Sequence, residues 1–310
     1  MACFLGVDTS NYTTSVAVYD DGNIIQKKKL LEVKYNQKGL QQSEAVFQHI
    51  IKLPLLIEEL LGDKKFDIKA VGASNRPRDI KNSYMPCFMV GDSTARSIAV
   101  AYHLPYYDFS HQAGHIAAAL YSIQKLEFVN NRFLAFHVSG GTTEAILCEP
   151  NETNIINTRI VAQSLDLKAG QAIDRVGIML GLKFPCGAEL ERLALKSEKH
   201  FNIKPTLKGV DCCLSGLENK CTDMQNTGEP FENIALYCLQ YILKTLDCMT
   251  EQLTKQYQDL PLVFAGGVMS NSIIRQYMQK KYGAFFAIPE YSSDNAAGIA
   301  VLTKIRDERK

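Results

Sequence analysis

A strand, a polar turn and a second strand follow one another twice in this chain, and this repetition constrains the fold more than any other feature. The first such segment spans Gly6–Tyr19 and the second spans Phe133–Cys148. Each turn is rich in Gly, Ser and Thr, and segments with helical periodicity follow each pair of strands. We therefore expect two related α/β lobes with a cleft between them. One irregular α/β domain is the alternative.

The chain has 310 residues, which is enough for two such lobes. We expect an N-terminal domain over residues 1–128 and a C-terminal domain over residues 129–310. The last helix, expected from Asp294 towards Arg306, is a candidate to pack back on the first domain. Apolar residues at helical spacing predict further helices over 43–61, 92–101, 171–180, 231–253 and 271–280. Pro54 is a potential break in the first of these helices.

The formal net charge is only +1, so no global field attracts the chain to nucleic acid or to a membrane. Two local basic stretches, Lys27–Lys38 and Arg76–Lys81, are better explained as solvated faces than as nucleic-acid contacts. Nine cysteines without a C-x-x-C pair indicate a reducing compartment. This cysteine pattern predicts a cytoplasmic protein, and no apolar run reaches the ~18 residues of a membrane span.

Two of the six histidines, His111 and His115, lie four residues apart in a segment expected to be helical. Residues at this spacing share one helix face, so both imidazoles can bind one metal ion. Zinc proteases of the thermolysin type use the same spacing, but they need a Glu directly after the first His, and here that residue is Gln112. The spacing favours a metal site without the general base of a protease. A capped helix with two half-buried histidines is the alternative.

Three turns are rich in small and hydroxyl residues, namely 8–14, 139–143 and 266–272. Glycine lets the backbone approach an anion closely, and backbone N–H groups and hydroxyls can donate to phosphate oxygens. Hairpin turns use the same residues, and none of the three is a Walker P-loop or a dinucleotide fingerprint. Three such turns, each after a buried strand, indicate a nucleotide site.

Taken together, these segments resemble the TsaD family, the tRNA threonylcarbamoyl-adenosine transferases of the actin-like ATPase superfamily, once called O-sialoglycoprotein endopeptidases. The resemblance runs nearly from end to end of the chain. The matching motifs stand in the family's order at 6–10 (GVDTS), 111–115 (HxxxH), 138–141 (VSGG), 170–175 (GQAIDR), 184–187 (FPCG), 214–217 (LSGL), 265–268 (AGGV) with 271–272 (NS), and 293–297 (SDNAA).

The resemblance implies two actin-like (ASKHA, RNase H-like) lobes and a metal-dependent transfer of threonylcarbamoyl from threonylcarbamoyl-AMP to N6 of an adenosine in tRNA. It implies one iron(II) or zinc ion held by His111, His115 and Asp294, and Asp8 is the candidate catalytic carboxylate. The expected ligand is an adenylate or ATP, with magnesium as a candidate companion. The implied adenylate contacts are His137, Val138, Ser139, Gly140, Gly141, Asp174, Gly187, Glu191 and Asn271.

The resemblance also implies partners, namely tRNA, a smaller paralogous TsaB-like subunit and a TsaE-like ATPase. The sequence departs from the family on the acceptor side, because Tyr12 and Thr13 replace an acidic Asp-Glu pair implicated in the transfer step. Further departures are the loop 75–84 in place of Gly-Pro-Gly, Thr142 after Ser-Gly-Gly, and Arg175 and Glu218 in place of two lysines.

Other interpretations stay open. Asp294 also fits an ordinary helix N-cap, and Asp174 also fits a helix-surface carboxylate paired with Arg175. The function could be carbamoyl-type transfer to a different acceptor, or that of a nucleotide-binding, non-catalytic paralogue that serves as a partner subunit. A metalloprotease is disfavoured by Gln112.

Overall fold

The computed structural model describes residues 2–10, 12–33, 40–62, 64–258, 260–292 and 295–310. Asp294, and Lys34 and Lys38 of the first basic stretch, lie outside these residues. The strands are β1 Ala2–Ser10, β2 Thr13–Asp20, β3 Asn23–Leu30, β4 Asp67–Arg76, β5 Tyr106–Ser110, β6 Phe133–Val138, β7 Thr143–Asn151, β8 Ile155–Gln163, β9 Thr206–Lys208, β10 Asp211–Cys213, β11 Leu262–Ala265 and β12 Phe285–Phe286.

The helices are α1 Gln42–Leu61, α2 Phe88–Ala101, α3 His111–Ser122, α4 Ala169–Met179, α5 Gly187–Ala194, α6 Ser215–Asn226, α7 Phe231–Gln256, α8 Ser272–Tyr282 and α9 Ala297–Glu308. Within the described ranges, no helix is both long enough and apolar enough to cross a membrane.

The chain forms two compact units. The first comprises Met1–Asn131, Cys148–Thr158 and Glu290–Lys310, and the second comprises Arg132–Leu147 and Arg159–Pro289. The expected domains, 1–128 and 129–310, stay a prediction, because compactness does not show that a segment folds by itself.

The sheet of the first unit has the strand order β3-β2-β1-β4-β5, in which β1, β2 and β3 are antiparallel and β1, β4 and β5 are parallel. Its central strand β1 is buried on both faces from Cys3 to Ser10, as expected for a strand covered on both sides. Leu53 and Leu56 of α1 and Ala95 of α2 join its core, and α9 packs against β1 and α3.

Pro54 does not break α1, which is continuous from Gln42 to Leu61. A proline removes the hydrogen bond to the carbonyl four residues earlier, here that of Ile50. Both Ile50 and Pro54 lie on the exposed face of the helix. Water can reach this face and bind the carbonyl, so the predicted break is absent.

The second five-stranded sheet has the order β8-β7-β6-β11-β12, with β6, β11 and β12 parallel. This order repeats that of the first sheet, because β6, β7 and β8 correspond to the first three strands and β11 and β12 to the last two. Helices α4–α8 contribute to the apolar core of the second unit. The repeated strand order confirms the prediction of two related α/β units.

Helices α7 and α8 are joined by the buried carboxylate of Asp247. Its oxygens accept hydrogen bonds from Lys244 Nζ at 2.7 Å, Lys281 Nζ at 2.6 Å, Tyr282 OH at 2.7 Å and Tyr277 OH at 3.0 Å. Burial raises the pKa of this carboxyl, but the bonds from the lysines and tyrosines outweigh burial and lower its pKa to about 2. The charged form of Asp247 is therefore the one that stabilises the fold.

We expect Asp247→Asn to lower the free energy of unfolding at pH 7 by about 2–3 kcal/mol. Breaking a buried ion pair usually costs about 3–5 kcal/mol, and the cost is smaller here because Lys244 and Lys281 both reach water. The pKa is depressed in the folded state, so this stabilisation is present above the unfolded value of 3.8 and is lost as the pH falls towards about 2. Urea denaturation from pH 7 to pH 2 measures the difference. Glu251→Gln, which breaks the exposed pair with Lys255 in the same helix, is the control, with an expected change below about 0.5 kcal/mol. A difference that stays constant down to pH 2 would contradict this account.

Candidate functional site

The predicted histidine pair lies at the start of α3, where His111 is the first helical residue. The centroids of the two imidazole rings are 4.3 Å apart, with 72° between their planes. Both side chains are partly buried. The helical spacing therefore brings the two rings together as the sequence predicts.

The third predicted metal ligand, Asp294, lies outside the described residues, so its role stays a prediction. Within the described ranges, no three His, Cys, Asp or Glu side chains form a group that could hold a metal ion. The pair of imidazoles supplies two nitrogen donors on one helix face, which suits iron(II) or zinc.

Asp8 is fully buried in β1 and contacts the first histidine. Its Oδ1 lies 3.1 Å from His111 Nδ1 and accepts a hydrogen bond from Ser74, and its Oδ2 accepts one from Ser10 Oγ at 2.6 Å. Burial raises the pKa of the Asp8 carboxyl, but the charge of His111 and the donated hydrogen bonds outweigh burial and lower it below the usual value. In metal sites, a histidine commonly binds the metal through one ring nitrogen while a carboxylate accepts a hydrogen bond from the other nitrogen and orients the ring.

Gln112, which stands where a zinc protease has its general base, is buried and its Oε1 accepts a hydrogen bond from Thr158 Oγ1 at 2.9 Å. A side chain held in this way cannot act as a base, since an amide has no basic oxygen at neutral pH. The position where a zinc protease needs a catalytic glutamate therefore holds a buried amide that is bound to the protein itself.

The first of the three predicted phosphate-binding turns is shorter than expected, because β1 extends to Ser10 and β2 begins at Thr13. The hydroxyl of Thr9 donates to the carbonyl of Cys87 at 2.9 Å, and that of Thr14 lies 2.8 Å from His49 Nδ1. These hydroxyls bind protein atoms within the unit. The turn is shorter because β1 and β2 stay paired as far as Ser10 and Thr13. The hydroxyl-rich composition did not indicate this pairing.

The other two predicted turns follow β6 and β11, which are parallel neighbours in the second sheet. Carboxyl ends of neighbouring parallel strands meet at one sheet edge, the usual location of ligands in α/β proteins. Ser139 closes the first turn, because its N–H donates to the carbonyl of Thr142 at 2.7 Å and its Oγ accepts from Gly141 N–H at 3.2 Å. Open space lies where side chains would project from Gly140 and Gly141.

Two glycines permit close backbone contacts at this edge. A Cβ on Gly170, in the first turn of α4, would lie 2.6 Å from the backbone nitrogen of Gly140. Gly266 has a φ of 102°, and a Cβ there would overlap the carbonyl of Val138. Both glycines are therefore required by the way the turns pack against each other.

Asp174 lies in α4, where one carboxylate oxygen accepts a hydrogen bond from the N–H of Cys186 at 2.9 Å, just before α5 begins. The alternative pairing of Asp174 with Arg175 is wrong, because Arg175 forms an ion pair with Glu218 at 3.0 Å. Arg175 and Glu218 are the two residues that replace lysines of the family, and the structure pairs them with each other.

Glu191 and Asn271 both bind the N-terminus of α8. Glu191 Oε1 accepts hydrogen bonds from the N–H and the hydroxyl of Ser272, and Asn271 Oδ1 accepts one from Ile274 N–H at 3.1 Å. Asn271 is thus the N-cap of α8. These two predicted adenylate contacts hold the helix that follows the third glycine turn.

The remaining predicted adenylate contacts lie at the end of β6, in the turn after it and at the start of α5. His137 is partly exposed and Val138 is fully buried at the end of β6. Ser139 leads the turn that follows, and Gly187 is the first residue of α5, with open space where a side chain would project.

Asp166, which the sequence did not single out, anchors the start of α6. Its carboxylate accepts hydrogen bonds from Leu214 N–H at 2.7 Å and Ser215 Oγ at 2.6 Å. Burial raises the pKa of Asp166, but these bonds outweigh burial and lower it to about 2. The partners lie almost fifty residues further along the chain, so no local sequence signal could identify the contact.

We expect Gly170→Ala to lower the free energy of unfolding by about 1–3 kcal/mol and to weaken adenylate binding, because the new methyl group forces the 139–143 turn away from α4. Urea denaturation and calorimetric titration with an adenine nucleotide measure the two effects. Gly187→Ala is the matched control for stability, since it adds the same methyl group in the first turn of α5 where space is open. Equal stability of the two variants would show that the close contact is not tight.

Comparison with solved structures shows similarity to component A of (R)-2-hydroxyglutaryl-CoA dehydratase from Acidaminococcus fermentans, with 16% identity, a TM-score of 0.55, and coverage of 100% of this chain and 99% of that chain. The activator of 2-hydroxyisocaproyl-CoA dehydratase from Clostridium difficile, with ADPNP bound, has 13% identity, a TM-score of 0.52, and coverage of 99% and 95%. Full-length HypF has 12% identity, a TM-score of 0.62, and coverage of 99% and 55%. These similarities confirm the expected actin-like α/β fold.

A comparison with protein families matches residues 25–301 to the family described as TsaD, tRNA N6-adenosine threonylcarbamoyltransferase. The match includes both the histidine pair and the glycine turns of the second unit. It leaves out Asp8 and the hairpin that carries Tyr12 and Thr13.

Proposed function

The chain belongs to the TsaD family of tRNA N6-adenosine threonylcarbamoyltransferases, and from that premise we propose that it moves a threonylcarbamoyl group from threonylcarbamoyl-AMP to N6 of an adenosine in tRNA. The observation that carries the proposal is the pair of adjacent imidazoles, one of them oriented by a buried carboxylate. Single-stranded loop bases are the parts of a tRNA whose amino groups an enzyme can reach.

His111 and His115 would hold one iron(II) or zinc ion, with Asp294 as the third ligand that the resemblance implies. When bound, such an ion supplies Lewis-acid polarisation of the acyl group and binds the substrate's acyl-phosphate region. Asp8 orients His111 through Nδ1, and we propose this role for it in addition to the catalytic one predicted from the sequence.

The adenylate or ATP would bind in the second unit at the edge formed by the 139–143 turn and Gly266–Gly267, with magnesium as a candidate companion. The open space at Gly140, Gly141 and Gly267 supports this, because a phosphate could approach the backbone there. Asp174, Glu191 and Asn271 would shape the site by holding α5 and α8. The Clostridium difficile structure shows that a protein of this fold holds a nucleotide analogue.

The resemblance also supports a cytoplasmic location and partners besides tRNA, and we propose a TsaB-like subunit and a TsaE-like ATPase. Carbamoyl-type transfer to another acceptor is the second candidate function. It is favoured by the uncharged Tyr12 and Thr13 and by the Arg175–Glu218 pair, which neutralises two positions where the family has lysines.

The test is incubation of the metal-loaded protein with labelled threonylcarbamoyl-AMP and tRNA transcripts that carry or lack an adenosine beside the anticodon. We expect label in the modified adenosine of the first transcript and none in the second. Addition of the proposed subunit and ATPase distinguishes an inactive protein from one that needs partners. Binding of metal and nucleotide with no label in any tRNA would favour another acceptor, and binding of neither would contradict the proposal as a whole.

A further inference from the structure

We propose that Arg76 and Asp79 are positioning residues of the metal site, which hold the first turn of α3 so that His111 and His115 face one ion. This inference rests on the proposed function. It concerns the loop 75–84, one of the segments in which the sequence departs from the family's motifs.

Asp79 acts on α3 through the helix N-cap, Ser110. Its Oδ2 accepts the hydroxyl proton of Ser110 at 2.7 Å, and Ser110 Oγ in turn accepts from Ala113 N–H at 3.2 Å. A serine hydroxyl has a single proton, so donation to Asp79 turns the oxygen lone pairs towards the helix. A charged acceptor also polarises the hydroxyl and strengthens the cap.

Arg76 holds Asp79 in place. Its Nε and Nη2 donate to Asp79 Oδ1 at 3.0 and 2.9 Å, which leaves Oδ2 for Ser110. Its Nη1 donates to Asp108 in β5 at 2.7 Å, two residues before the cap. The Asp79 side chain is only 8% exposed and that of Arg76 is 21% exposed, so this pair is more than a mobile surface contact.

The same loop makes a second, independent contact with the helix, because the N–H of Gln112 donates to the carbonyl of Pro77 at 3.1 Å. Two N–H groups in the first turn of α3 thus depend on the loop. That of Gln112 donates directly to the loop, and that of Ala113 donates to Ser110, which the loop orients through Asp79. The first turn of a helix frays most easily because its N–H groups have no partners within the helix.

His111 occupies the first helical position, whereas His115 lies one turn further, where ordinary helical hydrogen bonds hold the backbone. Loss of the cap should therefore disturb His111 more than His115. Metal ligands must be held within a few tenths of an ångström to form a site. The Arg76–Asp79 pair therefore acts on metal affinity through the position of His111.

The test uses the full-length protein, titrated with Co²⁺ and followed by its visible absorption, for the unaltered chain, Asp79→Ala, Asp79→Asn and Asp67→Asn. We expect about 10-fold weaker Co²⁺ binding and an altered absorption spectrum for Asp79→Ala. Residues that support a metal ligand typically change metal affinity by about 10- to 100-fold, and this value lies at the lower end of that range. Asp79→Asn has one carbonyl oxygen, which can accept from Ser110 or from Arg76 but not from both, so its Co²⁺ affinity should lie between those of Asp79→Ala and the unaltered protein. Asp67→Asn removes another ion-paired aspartate, at the far end of β4, and should change nothing.

Hydrogen exchange of the metal-free proteins provides a second readout. Faster exchange in peptides covering 110–116, with unchanged exchange in α9, is expected for Asp79→Ala. If that variant does not fold, Ser110→Ala carries both measurements with the same expectation. Unaltered Co²⁺ affinity and exchange in the folded variants would overturn the inference. Absence of Co²⁺ binding by the unaltered protein would instead overturn the proposed metal site, and exchange would still decide whether the loop holds the helix.

Discussion

The His111→Ala/His115→Ala variant is expected to lose its bound metal completely and to transfer threonylcarbamoyl at least about 10³-fold more slowly, since a catalytic metal contributes several kcal/mol to the transition state. The two imidazoles are neighbours on one face of α3, so their removal leaves no nitrogen donor there. Alanine favours the helix, and the buried Asp8 keeps its hydrogen bonds from Ser10 and Ser74, so the fold should persist at reduced stability.

Elemental analysis and the labelled transfer assay measure the two losses, and circular dichroism checks the fold. His200→Ala, which removes an exposed histidine of the second unit, should keep both metal and activity. A double variant that retains one metal ion per chain would show that the ion binds elsewhere.

The Tyr12→Asp variant is expected to transfer threonylcarbamoyl to tRNA about 10²-fold faster than the unaltered protein, at the low end of what a general base contributes. The family has an acidic pair where this chain has Tyr12 and Thr13, so the unaltered protein should transfer slowly. Tyr12 is 36% exposed, and a carboxylate there stays hydrated.

Thr13 is buried in β2, so Thr13→Glu would place a charge in the interior and cost stability. We therefore expect Tyr12→Asp to give most of the gain, and the double variant with Thr13→Glu to add activity only at the cost of a lower melting temperature. Tyr12→Asn is the control, because asparagine has the size of aspartate without its charge, and this variant should show no gain in transfer rate. Transfer by the unaltered protein at the rate of an ordinary family member would refute the idea.

The elements that carry the two sites were largely predictable from the sequence. Apolar runs bounded by turns located β1, β6 and β11, and four-residue spacing placed the histidines on one face. These signals are local, and local periodicity is what a sequence records most directly. The 139–143 turn was likewise visible as a short polar segment after a buried strand.

The partners of the polar side chains were not predictable in the same way. Pairing with Arg175 was the alternative to an adenylate contact for Asp174, but Asp174 binds the backbone of Cys186, while Arg175 binds Glu218. Such contacts join residues 12 and 43 positions apart, and their choice depends on tertiary packing. Composition shows that a carboxylate is present, but the fold decides which donor it meets.

The return of α9 to the first sheet has a consequence for biosynthesis. Helix α9 packs against β1 and α3, so this face of the sheet lacks its α9 contact until residues 297–308 have been made. At about 5–20 residues per second, the ribosome needs roughly 10–35 s to proceed from residue 131 to residue 308. During that interval the first sheet lacks its contact with α9, and the histidine helix acquires this packing partner only once residues 297–308 have been made.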